Sequence, residues 1–200
     1  MKVEEYIKDW PHFLAAQSTL SPWQIIADLS KVISDITLQL NEEFMIRDGI
    51  AIHLSAQIEA GVVIKAPAII SADCFVGANA YLRGGVYLSP NVSIGPGSEI
   101  KSSFIGHDSS AAHFNFIGDS LIGSHVNFEA GAVIANHFNE RKNKEITVLI
   151  NGSRIPTGVT KFGALVGDGS KIGANAVLSP GTILPIESII KRLELVDQSV

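Results

Sequence analysis

Ten aliphatic residues fall six apart along the first half of this 200-residue chain: Ile46, Ile52, Ile58, Ile64, Ile70, Val76, Leu82, Leu88, Ile94 and Ile100, with no gap or insertion. Neither the 3.6-residue turn of a helix nor the two-residue alternation of a strand gives that period. Four places after each comes a residue that is usually small: Ile50, Ala56, Val62, Ala68, Cys74, Ala80, Val86, Val92 and Ser98. A hexad with one large and one small inward residue is the signature of a triangular β-helix, in which three hexads make a coil. On this reading Cys74 is a small core residue.

The register resumes at Ile122, Phe128 and Ile134, and again at Val166, Ile172, Leu178 and Leu184, with Val126, Ala132, Ser170, Ala176 and Thr182 as their partners. The expected solenoid runs over residues 45–185. It has two interruptions: a loop at 102–116 carrying His107 and His113, and an insertion at 137–162. The insertion holds Arg141, Lys142 and Lys144, and its Asn151-Gly152 pair between apolar runs predicts a β-hairpin. Insertions in solenoids map to loops on one face, often the binding face, so this arm is expected to reach a neighbouring subunit or cover a ligand.

Residues 1–44 read as a helical segment. Ser21 with Gln24 is a capping box, Pro22 suits the first turn, and Ile26, Leu29, Ile33, Ile36 and Leu40 make one apolar stripe. A shorter helix is expected around residues 3–10, ending at Pro11. Trp10 and Trp23 are expected to pack against the solenoid or a neighbour. Residues 186–200 form a tail in which a short helix and a last strand are both open.

A net charge of −5 argues against general affinity for nucleic acid or anionic lipid. One cysteine excludes an intrachain disulfide and fits a reducing cytoplasm. The charged start lacks the apolar core of a signal peptide, and no apolar run approaches the eighteen or so residues of a membrane span, so a cytoplasmic protein is expected.

Positions eighteen apart stack vertically, about 4.8 Å per layer. Arg47, Lys65, Arg83 and Lys101 are so spaced and form a column of cations. Like charges on adjacent strands repel unless anions neutralise them. Glu99 is one such anion; a phosphate site and a solvated edge are the two readings.

The stretch "AAHFNFIGDSLIGSHVNFEAGAVIANH" resembles the acetyltransferase domain of the bifunctional N-acetylglucosamine-1-phosphate uridyltransferase/glucosamine-1-phosphate acetyltransferase, with its His-x-x-Tyr-x-Gly-Asp, Val-Asn-x-Gly-Ala-Gly and Asn-Tyr patterns. "VLINGSRIPTGVTKFGALVGDGSKIGANAVLSPGT" is similar to the archaeal sugar-phosphate nucleotidyltransferase/acetyltransferase branch. The resemblance implies an all-β solenoid, a left-handed parallel β-helix of hexapeptide repeats with an N-terminal α-helical cap and an inserted β-hairpin. It also implies a homotrimer with active sites between subunits, a need also argued from the apolar flanks of the prism, which must be covered.

By the same resemblance His113 is the base that deprotonates the amine of a hexosamine 1-phosphate for attack on acetyl-CoA. Arg83 and Lys101 bind the sugar phosphate, Asn127 positions the substrate, and Ala130 and Asn136 contact acetyl-CoA. Lys142 and Lys144 are unaligned candidates for substrate and co-substrate. Asp119 is a candidate to orient His113, a turn-forming role being the other, and Lys191 and Arg192 are candidates to reach the phosphates of CoA. Phe116 and His137 stand where the family has Tyr. No nucleotidyltransferase domain precedes the solenoid, so uridyl transfer is not expected.

The spacing of His107, His113, His125 and His137 also fits zinc held between subunits, as in the β-helical class of carbonic anhydrase. The acid/base residues of such a site are not recognisable, and no metal is expected. Beside hexosamine-1-phosphate acetylation stand two alternatives: a non-catalytic trimeric binder of a sugar phosphate or nucleotide sugar, and a hexapeptide acyltransferase with another acceptor.

Overall fold

The computed structural model describes residues 1–11, 14 and 19–198; parts of the expected helical segment and tail, residues 12–13, 15–18 and 199–200, lie outside the described residues. From Ile52 onward the chain winds as a parallel β-helix of hexapeptide repeats. Each coil lays three short strands on three faces, and each strand pairs in parallel with the strands in the coils before and after. The first face is a seven-stranded sheet running from Gln57–Ile58 to Ile189–Ile190. The second carries strands such as Phe116–Gly118 and Val133–Ile134; the third carries Ala68–Ile70, Leu121–Ile122 and Thr182–Leu184. Second and third merge into one 13-stranded sheet because Tyr81–Leu88 and Glu99–Ile105 run around the corner between them.

The hexad aliphatics and their small partners meet inside the prism. Val76, Leu82, Leu88, Ile94, Ile100, Phe128, Ile134, Ile172 and Leu178 are buried together with Cys74, Ala80, Val86, Val92, Val126, Ala132 and Ala176.

Two expectations fail at the start of the repeat. Phe44–Arg47 pairs antiparallel with Ile50–His53 instead of forming a coil, because Asp48-Gly49, both at positive φ, turn the chain back on itself. Ile46 is therefore 45% exposed. Arg47 leaves the cation column and pairs with Asp48 at 3.4 Å in solvent.

Residues 102–116 are a correction of a different kind. They are no loop: Glu99–Ile105, Ser110–Ala111 and Phe116–Gly118 are strands paired with the coils on either side. Leu82 pairs with Ile100, eighteen residues on, whereas Leu88 pairs with Ile105, Ile94 with Ala111 and Ile100 with Ile117, each seventeen on. One residue is dropped between Ile100 and Ile105, where the preceding coil turns on Gly84-Gly85, and a second between Ile117 and Ile122. Both losses fall at the corner between second and third faces. His113 sits at a different corner, inside a regular hexad from Ala111 to Ile117.

The long insertion leaves from that same second-to-third corner, between Ile134, which pairs with Leu178 on the second face, and Val166, which pairs with Ile122 on the third. The expected hairpin is present: Thr147–Ile150 pairs antiparallel with Ser153–Pro156 across Asn151-Gly152, both at positive φ. It bends back onto its own chain, burying Ile146 and Val148 beside Leu165 and Ile183. Residues 186–196 continue the solenoid, with Ile189–Ile190 and Leu195–Val196 paired onto the coil beneath.

On the third face the outward side chains Ala51, Ile69, Tyr87, Phe104, Leu121, Leu165 and Ile183 stack into a second apolar column. Helix α1 (Pro22–Thr37) covers it with Ile25, Ile26, Leu29 and Ile33, each buried and worth roughly 1.5–3 kcal/mol relative to exposure. Its capping box is made, the Gln24 side chain accepting from the Ser21 amide at 2.9 Å. Gly85, at φ +93°, lets the helix approach: a Cβ there would lie 2.8 Å from Ser30 Cα. Trp10 packs on Phe104 and Trp23 on Phe162. The expected helix at residues 3–10 is reduced to a 3-10 turn, Val3–Glu5. The chain thus covers this flank itself, whereas Val63, Phe116, Val133, Val177 and Leu195, outward on the second face, stay half-buried or exposed.

Candidate active site

His113 lies at the corner joining first face to second. Its side chain is exposed and has no hydrogen-bond partner among the described residues. In the next coil Gly131 donates its N–H to the His113 carbonyl at 2.9 Å, which stacks the Ala130-Gly131 turn on the imidazole's backbone.

In two of the coils a carboxylate caps this corner. Glu59 accepts from the Ala78 N–H at 2.7 Å, and Glu129 from the Ala174 N–H at 2.8 Å. Ala112 occupies the equivalent place beneath Ala130 and has no acceptor to offer. The Ala130 N–H accordingly meets no acceptor among the described residues. A free imidazole and a free backbone donor from adjacent coils are the pair that acyl transfer needs: a proton acceptor and a donor for an oxyanion. Phe114, unremarked in the sequence, is held at φ +54° and 73% exposed beside them. Its ring lies over Gly97.

Arg83 and Lys101 are direct register partners on the second face, as the count of eighteen requires. Each already faces a carboxylate. Glu99 accepts from Arg83 Nε and Nη2 at 2.7 Å. Lys101 donates to Asp119, whose carboxylate also accepts from the Asn136 amide. Lys101 and Asp119 side chains are only 14% and 9% exposed. Asp119 thus holds Lys101 and Asn136 and turns the chain at φ +48°; it does not orient His113. Glu99 is the neutralising anion expected from the sequence; Asp119, read there as a turn former or an orienter of His113, is the counter-ion that was missed, although it stands eighteen residues after Lys101.

A cleft opens beside this network, lined by Ala27 and Ser30 of α1, Gly84, Ser102, Asp119 and Lys161. Asn127 lies elsewhere, on the first face, in a groove with Glu129, Lys171, Lys191 and Arg192. It accepts there from Ser110 Oγ at 2.7 Å. Lys191 and Arg192 belong to the same groove, and Arg192 grips Glu129 bidentately at 2.7 Å. Phe116 is half-buried on the second face opposite Glu99. Lys142 and Lys144 are exposed on the insertion, and His137 contacts Asn136 at 3.1 Å. Within one chain, then, His113 and Ala130 sit together, Arg83, Lys101 and Asn136 sit together one corner away, and Asn127 faces a third direction.

At the remaining corner His107 contacts Asp108 at 2.6 Å and Asp9 at 3.0 Å. Burial disfavours its charged form, but hydrogen bonds and charges from Asp108 and Asp9 outweigh that and raise its pKa. Hydrogen bonding to His107 in turn lowers the pKa of Asp108. Burial pushes the Cys74 thiol up to about 11.

The chain matches the family described as GMPPB C-terminal domain over residues 45–155 and the hexapeptide repeat of succinyl-transferase over residues 152–184. No curated protein matches it. Among solved structures it is similar to a mutant of GDP-perosamine N-acetyl transferase from Caulobacter crescentus in complex with CoA and GDP-perosamine, at 14% identity and a TM-score of 0.35. That match covers 70% of this chain and half the length of the Caulobacter protein. A hexapeptide transferase family protein from Anaplasma phagocytophilum matches at 16% identity and a TM-score of 0.29, covering 74% of each chain. The acetyltransferase domain of PglB from Neisseria gonorrhoeae matches at 23% identity and a TM-score of 0.25, covering 61% of this chain and 68% of that one.

Proposed function

Because the chain belongs to the family of GMPPB C-terminal domains, left-handed β-helices built of hexapeptide repeats, we propose that it is an acetyl-CoA-dependent N-acetyltransferase acting on the amine of a hexosamine 1-phosphate. The observation that carries this reading is the unpartnered imidazole of His113 one coil away from the unpartnered Ala130 N–H. His113 takes a proton from the substrate ammonium, and the amine attacks the thioester carbonyl. The Ala130 N–H donates to the tetrahedral oxyanion; when the oxyanion collapses the C–S bond breaks, and the second proton lost by the attacking nitrogen goes to the sulfur, so that CoA leaves as the thiol. Positioned proton transfer of this kind contributes roughly 10²–10⁴ in rate. Arg83 and Lys101 exchange their carboxylate partners for the sugar phosphate; Asn127, Phe116 and Lys142 complete the substrate side; Asn136 and Lys144 complete the acetyl-CoA side. The chemistry requires no metal.

These residues occupy different corners of one prism, so a site combining them draws on two chains. The assembly is accordingly a homotrimer, which light scattering on the purified protein tests; a monomer overturns it. Among the described residues no helix is long and apolar enough to cross a membrane, and a cytoplasmic location accompanies the acetyl-CoA requirement.

The direct test mixes protein, acetyl-CoA and glucosamine or galactosamine 1-phosphate and follows thiol release with a chromogenic disulfide. Cys74, buried and with its pKa raised, stays silent in that assay. Release that falls roughly 10²–10⁴-fold in His113→Ala at unchanged melting temperature supports the proposal.

A second reading has its own observation: both clamp cations are neutralised internally, Arg83 by Glu99 and Lys101 by Asp119. It makes the chain a non-catalytic trimeric binder of a sugar phosphate or nucleotide sugar, or an acyltransferase whose acceptor lacks a phosphate. Binding of an amino-sugar phosphate without thiol release favours the first of these. Release with an unphosphorylated amine favours the second.

A further inference from the structure

The corner between third and first faces carries a cluster that acyl transfer does not use. His107 and His125 occupy it in consecutive coils, the His125 N–H donating to the His107 carbonyl at 2.9 Å. Their rings meet edge to face with centroids 4.9 Å apart. Asp108, turned at φ +56°, places one carboxylate oxygen 2.6 Å from His107 Nδ1 and 4.0 Å from His125 Nδ1. One donor atom from each of the three residues lies within 4.8 Å of the other two.

We propose that His107, Asp108 and His125 form a binding site for a divalent transition-metal ion of the zinc class. Zinc bonds of about 2.0–2.1 Å at the tetrahedral angle set neighbouring donors about 3.3 Å apart. Asp108 and the two Nδ1 atoms bracket that spacing, so modest rotation of the His125 ring brings all three onto one ion. Two imidazole nitrogens and a carboxylate are the borderline-soft donor set that favours zinc or cobalt over magnesium or calcium.

The surroundings fit as well. A metal-binding histidine characteristically donates its other ring N–H to a carboxylate, which fixes the tautomer. Asp9 stands 3.0 Å from His107 Nε2 in that place. It directs the free lone pair of His107 to Nδ1, the atom facing Asp108. The side chains of Asp108 and His125 are 40% and 63% exposed, which leaves an entry path and room for a water as fourth ligand.

Asp9 belongs to the N-terminal segment, which is also tied here by Asp168: its carboxylate accepts from the Lys8 N–H at 2.8 Å, and its N–H donates to the Tyr6 carbonyl. An ion at His107 therefore couples metal binding to docking of that segment. The site shares no residue with the His113 corner and stands whether or not the acetyltransferase reading does.

Metal-stripped protein titrated with Zn²⁺ by calorimetry and with Co²⁺ by visible absorption tests the site. The expected result is uptake of one ion per chain, with the intense ligand-field bands of low-symmetry Co²⁺ and slower tryptic cleavage after Lys8 once metal is bound. Asp9→Asn weakens affinity about 10–100-fold, the usual cost of losing such a supporting carboxylate. His125→Ala weakens it at least as much. The exposure of His125 keeps that variant folded, which its unchanged metal-free melting temperature checks. Absence of cobalt bands, or affinity equal in wild type and His125→Ala, overturns the site.

Discussion

Glu129 shows how single side chains tie coils together. It accepts two 2.7 Å hydrogen bonds from Arg192, in the last coil, and one from the Ala174 N–H. Those bonds, Arg192's first, hold its carboxyl below the usual glutamate range. A depressed carboxyl contributes stability that is present above its unfolded pKa and lost as pH falls through the folded value. This tie therefore holds at neutral pH and releases only in acid, below the range in which an ordinary glutamate titrates. Carbon-detected NMR titration is expected to find the Glu129 midpoint under that of an ordinary glutamate, and Arg192→Ala to return it to normal. A normal midpoint in the unaltered protein refutes the link. At this scale the sequence was legible where stacking alone decides: Arg83 beside Lys101 follows from counting. What each cation holds was not, because side-chain reach across a corner has no period; the free Ala130 N–H depends on Ala112 lacking a carboxylate that Glu59 and Glu129 supply elsewhere.

Helix α1 is the element on which the third face depends. Its capping box and apolar stripe were readable, since both are local. Its partner was not, because the outward column from Ala51 to Ile183 contains Tyr87 and Phe104 among smaller residues and looks like ordinary surface in a repeat whose inward positions dominate. Gly85 carries the closest approach. Gly85→Ala combines a positive φ with a Cβ 2.8 Å from Ser30 Cα, so the helix must shift outward. The expected loss is about 2 kcal/mol or more, seen as a lower denaturant midpoint with Trp23 reporting. A change under about 0.5 kcal/mol, the level of a neutral surface substitution, shows that the helix does not rest on this glycine. The two dropped residues belong to the same scale. A missing residue at a corner and a loop look alike in one dimension, and only strand pairing on both sides tells them apart.

As a whole the molecule is close to one-dimensional, each coil touching chiefly its neighbours, so its stability is a sum of coils and interfaces and its ends open first. The last coil presents Ile189, Leu193 and Leu195 to solvent at 73%, 78% and 64%. Hydrogen exchange is expected to release amides of residues 189–196 well before those of residues 105–134, which have coils on both sides. Equal protection along the axis would point to a single cooperative unit. The architecture was the most legible property, because a solenoid repeats one short-range rule many times. Its beginning at Ile52 and its continuation to Val196 were less so, since at each end one neighbour is missing and the rule has only half its support.

Every departure from six residues per side occurs between second and third faces: a residue lost after Ile100, another after Ile117, and the long excursion after Ile134. Along the other two corners the count never varies from Ile70 to Ile190. One edge works as an open seam and the other two as closed hems. A foreign peptide spliced into the seam would emerge harmlessly next to α1, whereas a single residue added at either hem would turn the inward side chains of that strand to solvent.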